Sequence, residues 1–320
     1  MKRLISLLIS LGILALIYTK IDLDGLLEVF QGCDRLWIVI SLGMVIPLTL
    51  FTAWRLQQLM PPGTHLDFGE ANRLILVAST LNMVLPSKMG DVAKAYFMQE
   101  RGYLSGPLAL SLVVFEKACD LLSLLFWCIL GLIGYPQKTA LFGVMFSGIT
   151  LGFISGILIL SSRPFADGCF RGLRRIVPAK FRETLKSLQI SWGEMHDYFW
   201  SDRQQLLKIS LTSVFIWFLH LLQIWFFILA LNAWTPFWAS LALSPLAILA
   251  GLLPLTFAGI GTRDAALVFF YQPYFDATTA AALGLLCTSR YFLPAIGGLP
   301  FFGQSISKVR GLKKSDLSKG

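Results

Sequence analysis

The sequence lacks the short motifs that most often mark a nucleotide-binding or hydrolytic site. It contains no GxxxxGKS/T, the phosphate-binding motif of many ATP-driven proteins, and neither HExxH nor GxSxG occurs. Of its 3 histidines, His220 is the one that falls within a long apolar segment. A catalytic site needs a nucleophile, a base or a metal, so we predict a protein that is not an enzyme and that needs no cofactor.

The 5 cysteines are also placed without the spacing of a disulfide framework or a zinc site. No CxxC pair occurs, and no histidine stands beside them. We therefore predict that they are buried small hydrophobic residues and that the chain binds no metal. They are Cys33, Cys119, Cys128, Cys169 and Cys287.

Apolar residues, by contrast, are abundant. They make up 56% of the 320 residues, and the mean hydropathy is +0.69, well above the range of an ordinary soluble domain. About 20 apolar residues in a helix cross the roughly 30 Å hydrocarbon core of a bilayer. The sequence predicts an all-α polytopic membrane protein with about six full spans, at 4–18, 36–54, 108–133, 140–160, 209–231 and 278–302.

Positive charge is concentrated in two segments of this chain, whose net charge is +9. The connection 162–208 and the tail 306–320 are both rich in lysine and arginine, which is typical of the cytoplasmic side. Beside so many spans, these segments favour anionic lipid headgroups over nucleic acid. We predict a location in the cell membrane with both termini in the cytoplasm and no nucleic-acid partner.

Proline and glycine interrupt two apolar segments, and this explains a conflict in the topology. If every segment crossed once, the basic connection would lie outside, against the positive-inside rule. The conflict disappears if 73–100 and 237–273 are re-entrant hairpins, which are tolerated at depth where protein buries them or where they line a wet cavity. The predicted tips are Pro86 and Gly90 in the first hairpin and Pro254, Gly259 and Gly261 in the second.

The two hairpins sit in similar surroundings, which indicates an internal repeat. Pro86 precedes Pro254 by 168 residues, and Lys117 precedes Arg290 by 173 residues. Because the hairpins enter from opposite sides, the repeat is inverted, as in many secondary transporters. We predict one integral membrane domain, with a first half at 36–161, a cytoplasmic connection of amphipathic helices at 162–208, a second half at 209–305 and the basic tail.

Charged residues within the apolar segments are the main functional signal. Each would cost about 2.5 to 3.5 kcal/mol at the bilayer centre, so they must face protein or water. A helix that starts at a hairpin tip also offers free N–H groups to an anion. The residues predicted to bind and translocate a ligand are Asn82, Lys88, Asp91, Lys94, Glu116, Lys117, Asp120, Arg263, Asp264 and Arg290.

Structural roles remain open for several of these residues. Asp91 and Asp264 stand where the returning arms begin and could serve as N-caps. The charged group at 116–120 could be a structural ion network, Asn82 could close a backbone gap at the first hairpin, and Arg290 could extend to the membrane surface.

Three motifs carry a resemblance to a known family. They are N-x3-P-x-basic-x-G-acidic-x2-basic from Asn82 to Lys94, acidic-basic-x2-D from Glu116 to Asp120, and P-x4-G-x-G-x-R-acidic from Pro254 to Asp264. With these motifs the chain resembles, over nearly its whole length, the lysylphosphatidylglycerol synthase/flippase transmembrane-domain family. Relatives commonly carry arginine and glutamate where this chain has Lys88, Lys94, Lys117, Asp91 and Asp264. Charge is kept, but the bidentate geometry of arginine is not.

The resemblance implies a function. The best-understood members move an aminoacylated phospholipid between leaflets, and some add a soluble aminoacyltransferase domain. We predict the translocase part alone: a lipid flippase that moves an anionic or aminoacylated phospholipid through a charged intramembrane cavity. The expected partners are a membrane lipid with an anionic headgroup and an enzyme that synthesises it. Two alternatives stay open, an intramembrane enzyme that modifies a lipid carrier and a non-transporting accessory subunit.

Overall fold

The computed structural model describes residues 23–61, 63–84, 90–136, 139–178, 182–252 and 261–302. These residues form helices and turns and contain no strand. The helices in chain order are α1 (Leu23–Gln31), α2 (Arg35–Gly43), α3 (Val45–Leu59), α4 (Phe68–Val84), α5 (Gly90–Glu100), α6 (Gly106–Gly134), α7 (Ala140–Ser161), α8 (Arg163–Ile176), α9 (Arg182–Ser201), α10 (Arg203–Ala230), α11 (Phe237–Leu252), α12 (Thr262–Tyr271), α13 (Ala277–Ser289) and α14 (292–302).

Within the described residues, 4 helical segments are long and apolar enough to cross a membrane. They are Arg35–Leu59, Ala140–Ser161, Arg203–Ala230 and Ala277–Phe302. Helix α6 has 29 residues, and its charged residues at 116–120 set it apart from these four. The predicted all-α polytopic membrane protein is therefore confirmed, while the number of spans and their orientation stay predictions.

Two of these segments contain a break, and the same residue type explains both. α2 gives way to α3 at Met44, three residues before Pro47, and α13 gives way to α14 just after Arg290, four residues before Pro294. A proline in a helix has no N–H to donate four residues back, and its ring clashes with that carbonyl. Here those carbonyls belong to Gly43 and Arg290, so each span bends at a defined point.

The helices of both predicted hairpins are present. α4 packs on α5, and α5 packs on α6; α11 packs on α12, and α12 packs on α13. The first arm begins at Phe68 instead of residue 73, whereas α11 and α12 lie within 237–273 as expected. In both halves three successive helices pack in the same order, which supports an internal repeat. The insertion of the hairpins from opposite sides stays a prediction, and the tip residues Pro86, Pro254 and Gly259 lie outside the described residues.

The hydrophobic core has two parts, and α6 runs through both. The first part joins α3, α4, α5 and α9 to the first half of α6. The second part joins α1, α10, α11, α12 and α13 to its C-terminal half. In contrast, α7 has no buried residue, and its apolar side chains form an outer surface suited to lipid.

The connection between the halves differs from its prediction. It forms α8 and α9 as expected, but α10 already begins at Arg203. Amphipathic helices of this kind commonly lie on a membrane surface, but the structure buries Trp192 and Phe199 of α9 against Phe115 of α6, with ring centroids 6.1 and 4.2 Å from the Phe115 ring. The apolar side of α9 therefore belongs to the protein core.

The cysteine prediction holds in part. Cys119, Cys128 and Cys287 are buried and Cys33 is half-buried, as expected of small hydrophobic residues. Cys169 is exposed on α8, so the prediction was wrong there.

Gly131 permits the closest contact between α6 and α11, and its replacement by alanine should be destabilising. A Cβ there would overlap the backbone between Leu241 and Ala242. Overpacking of this kind costs about 1 to 3 kcal/mol, which unfolding by denaturant would measure. Gly134→Ala on the same helix is the matched control, because its Cβ would lie 3.9 Å from Trp238. Equal stability of the two variants would contradict the predicted contact.

Candidate functional site

A cavity of about 250 Å³ lies where the two halves meet. Side chains from α3, α4, α5, α6, α10 and α12 line it, together with residues at the break between α13 and α14. The structure thus brings charged residues from distant parts of the sequence to one place. The charged lining residues are Asp91, Lys94, Glu116, Lys117, Arg263 and Arg290.

Most of the predicted site residues are found at this cavity. Asn82 lines it together with the six charged residues just named. Asp120 and Asp264 do not line it, but each pairs with a cation of the site. Lys88 lies outside the described residues.

Glu116 is the centre of a buried ion network. Arg55 Nη2 lies 3.0 Å from Glu116 Oε1, and Lys94 Nζ pairs with the second carboxylate oxygen. The side chains of all three are at most 2% exposed. Because these residues belong to α3, α5 and α6, the carboxylate ties three helices together. The ion network that the sequence left open for Glu116 is therefore present, and Glu116 also lines the cavity.

Asp120 and Lys117 extend the network along α6. Arg55 Nη1 lies 2.5 Å from Asp120 Oδ1 and 3.0 Å from Ser213 Oγ. Lys117 Nζ lies 3.3 Å from Asp120 Oδ2 and also 3.3 Å from Asp91 Oδ2. The network therefore holds three cations and three carboxylates and is neutral.

Arg55 was missed by the sequence analysis, because the predicted span ended at residue 54 and left Arg55 in the following connection. The structure buries it, with 1% of its surface exposed. Its helix continues to Leu59, and Leu56 and Leu59 are wholly buried. The apolar residues Leu56 and Leu59 were the signal in the sequence that the buried helix continues past Arg55.

Arg263 and Asp264 form a second neutral pair. Arg263 Nη2 lies 2.7 Å from Asp264 Oδ1 and donates to Thr288 Oγ1 at 2.6 Å. Asp264 Oδ2 accepts a hydrogen bond from Gly261 N at 3.0 Å, at the start of α12. Asp264 thus helps to cap α12 from the third position of the helix, whereas Gly261 and not Asp264 occupies the N-cap position itself.

Asn82 has the structural role that the sequence left open, and it also lines the cavity. Its Oδ1 accepts a hydrogen bond from Gly90 N at 2.8 Å, so the end of α4 holds the first residue of α5. A Cβ at Gly90 would overlap the Ala78 carbonyl of α4. This close contact between α4 and α5 fixes the position of α5, from which Asp91 and Lys94 line the cavity.

Arg290 differs from every other cation of the cavity. It is 6% exposed, and its Nη1 and Nη2 donate to Gln223 Oε1 and Tyr291 Oη, each at 3.2 Å. Its Nε has no acceptor, and no carboxylate of the described residues lies within ion-pair distance. A buried cation of this kind is costly unless a partner arrives. Its side chain is therefore buried in the protein and does not extend to the protein surface.

Comparison with known proteins identifies the family. The model of the family described as Lysylphosphatidylglycerol synthase TM region matches residues 3–298. The chain belongs to this family. It is also similar to a UPF0104 membrane protein of Methanocaldococcus jannaschii, at 23% identity over 93% of both chains. A UPF0104 membrane protein of Methanothermobacter thermautotrophicus is 20% identical over 96% of this chain and 98% of its own length.

In this member of the lysylphosphatidylglycerol synthase TM family, the cations differ in how freely a ligand could reach them. The Lys117 side chain is 45% exposed, against 1% for Lys94. Lys117 is shared between two carboxylates, whereas Arg290 pairs with none among the described residues. The net positive charge of the described cavity therefore lies on the buried Arg290, and Lys117 is the more exposed of the two donors.

Proposed function

We propose that this protein is a translocase that moves an anionic or aminoacylated phospholipid between the leaflets of the cell membrane. The observation that carries the proposal is the buried Arg290, which has no carboxylate partner in the part of the chain that the structure describes and lines a cavity built by both halves. A phosphate is a suitable partner, since a guanidinium can bind it through two charge-assisted hydrogen bonds.

The remaining charges suit a headgroup that carries an amine as well as a phosphate. Lys117 supplies further donors for the phosphate, while Asp91 lines the same cavity and offers a carboxylate to an ammonium group. Lys94 and Arg263 already have carboxylate partners, so their role is to hold the walls. Lys88 stays a predicted contact from the sequence.

Lys117 also provides a means of exchange between two states. It stands at 3.3 Å from both Asp91 on α5 and Asp120 on α6. A headgroup that takes either bond would change how α5 is held against α6. Exchange of a salt-bridge partner is one way to bring two arrangements close in free energy, as alternating access requires.

The family supports the same assignment. Its description names lysylphosphatidylglycerol, which is an aminoacylated phospholipid. We place the protein in the cell membrane with both termini in the cytoplasm, close to an enzyme that makes the lipid.

Leaflet exchange in proteoliposomes tests the proposal. Neutral, anionic and aminoacylated lipids with labelled headgroups would be compared, with a quencher that cannot cross the membrane. We expect faster exchange than in empty liposomes for the anionic or the aminoacylated class only. A lipid-modifying enzyme would instead change the mass of the lipid, and an accessory subunit would leave both rate and mass unchanged.

A further inference from the structure

A second, almost wholly apolar groove of about 490 Å³ adjoins the charged cavity. It runs between the α2–α3 segment, the start of α4 and the start of α14. Thr49 and Asn72 are its polar members among otherwise aliphatic residues. The groove and the cavity share Val45, Thr49 and Pro294 as lining residues, so the two spaces are adjacent.

The groove opens toward the hydrocarbon region. Val39 and Ile46 line it and are 68% and 65% exposed. Both belong to Arg35–Leu59, a segment long and apolar enough to span a bilayer. Exposed aliphatic side chains on such a segment contact lipid chains. The groove therefore lies between the surface suited to lipid and the cavity that contains Arg290.

The walls of the groove are fixed on either side. Thr80 of α4 donates to the Ala295 carbonyl of α14 at 2.7 Å, which holds those two helices together. Gln223 of α10 donates to the Ser41 carbonyl of α2 at 2.7 Å, which holds the opposite wall. These two hydrogen bonds tie the helices that line the groove to the rest of the fold.

We infer that this groove holds a hydrocarbon chain of the lipid whose headgroup binds at Arg290, and that the lipid enters the cavity sideways from the membrane. The inference rests on the proposed function and adds the path and the ligand class. A water-soluble anion would fit the cavity but would have no use for an adjoining apolar groove. The shared walls place one amphiphile across both spaces.

Gly43 offers a direct way to fill the groove. It lines the groove, and a Cβ built on it meets no atom within 4 Å. Gly43→Leu should therefore occupy the groove without straining the fold. Gly148→Leu is the matched control, because Gly148 on the outer helix α7 is equally free of neighbours.

The test uses the full-length protein in liposomes that contain phosphatidylglycerol with a diazirine on one acyl chain. After illumination, we expect adducts on groove peptides of the wild type and of Gly148→Leu, and their loss in Gly43→Leu. Exchange should slow by about tenfold or more in Gly43→Leu, because about two methylene groups kept from an apolar site lower affinity by that factor.

The outcomes separate this inference from the proposed function. Adducts spread evenly over the outer helices, or unchanged adducts in Gly43→Leu, would overturn the groove assignment even if exchange is observed. Groove adducts that Gly43→Leu removes, in a protein that exchanges no lipid, would support the groove and overturn the translocase. If glycerol phosphate prevented the labelling of the groove as strongly as unlabelled phosphatidylglycerol does, the ligand would be a soluble anion. That result would also overturn the inference.

Discussion

Arg290→Gln is expected to weaken the binding of an anionic phospholipid by about ten- to a hundredfold, the loss that follows from removing a charge-assisted hydrogen bond. The same change should leave the free energy of unfolding unchanged or raise it. Arg290 is buried without a carboxylate in the described part of the chain, so its charge costs free energy in the empty protein. Glutamine keeps a polar group near Gln223.

Weaker lipid binding without a loss of stability distinguishes a ligand-binding residue from a structural one. Titration of phosphatidylglycerol into protein in nanodiscs would give the affinity, and denaturant unfolding would give the stability. Arg290→Lys keeps the charge but not the planar fork, so we expect an intermediate affinity. A loss of stability with unchanged lipid affinity would show that Arg290 supports the fold and would remove the main support for the proposed site.

Arg55→Met should have the largest effect on stability. It removes a cation held by two carboxylates and leaves the network with an excess negative charge. Breaking a buried ion pair from one side costs about 3 to 5 kcal/mol. The exposed pair Arg163–Asp197 provides the matched control, since Arg163→Met should cost at most about 1 kcal/mol.

A second substitution tests whether charge balance is the cause. In Arg55→Met/Asp120→Asn the network again has equal numbers of cations and carboxylates, with Lys94 on Glu116 and Lys117 on Asp91. We expect the double variant to be more stable than Arg55→Met, by denaturant unfolding. If the two losses simply add, the network is not electrostatically coupled.

The sequence predicted the long apolar elements well, because hydrophobic length is a local property. Spans predicted at 140–160 and 108–133 correspond to α7 (Ala140–Ser161) and α6 (Gly106–Gly134). The sequence also placed Lys117 and Arg290 in one functional set, since intramembrane charge is costly wherever it occurs. What each charge pairs with depends on helix packing, and there the sequence was less informative.

Three features needed the structure. Arg55 pairs with residues more than 60 positions away, so its partners are invisible to a local pattern. The helix breaks before Pro47 and Pro294 are far apart in the sequence, and only the structure shows that residues beside both of them line one groove. The basic, amphipathic composition of 162–208 predicts surface helices, but it does not reveal that α9 packs its aromatic residues on α6.

The most direct test of the translocase is the rate of leaflet exchange for the anionic and aminoacylated lipids in proteoliposomes holding equal amounts of folded wild type, Arg290→Gln or Arg163→Met. We expect rapid exchange with wild type and Arg163→Met and a rate near that of empty liposomes with Arg290→Gln. Exchange that is the same in all three proteins, or absent from folded wild type, would contradict it.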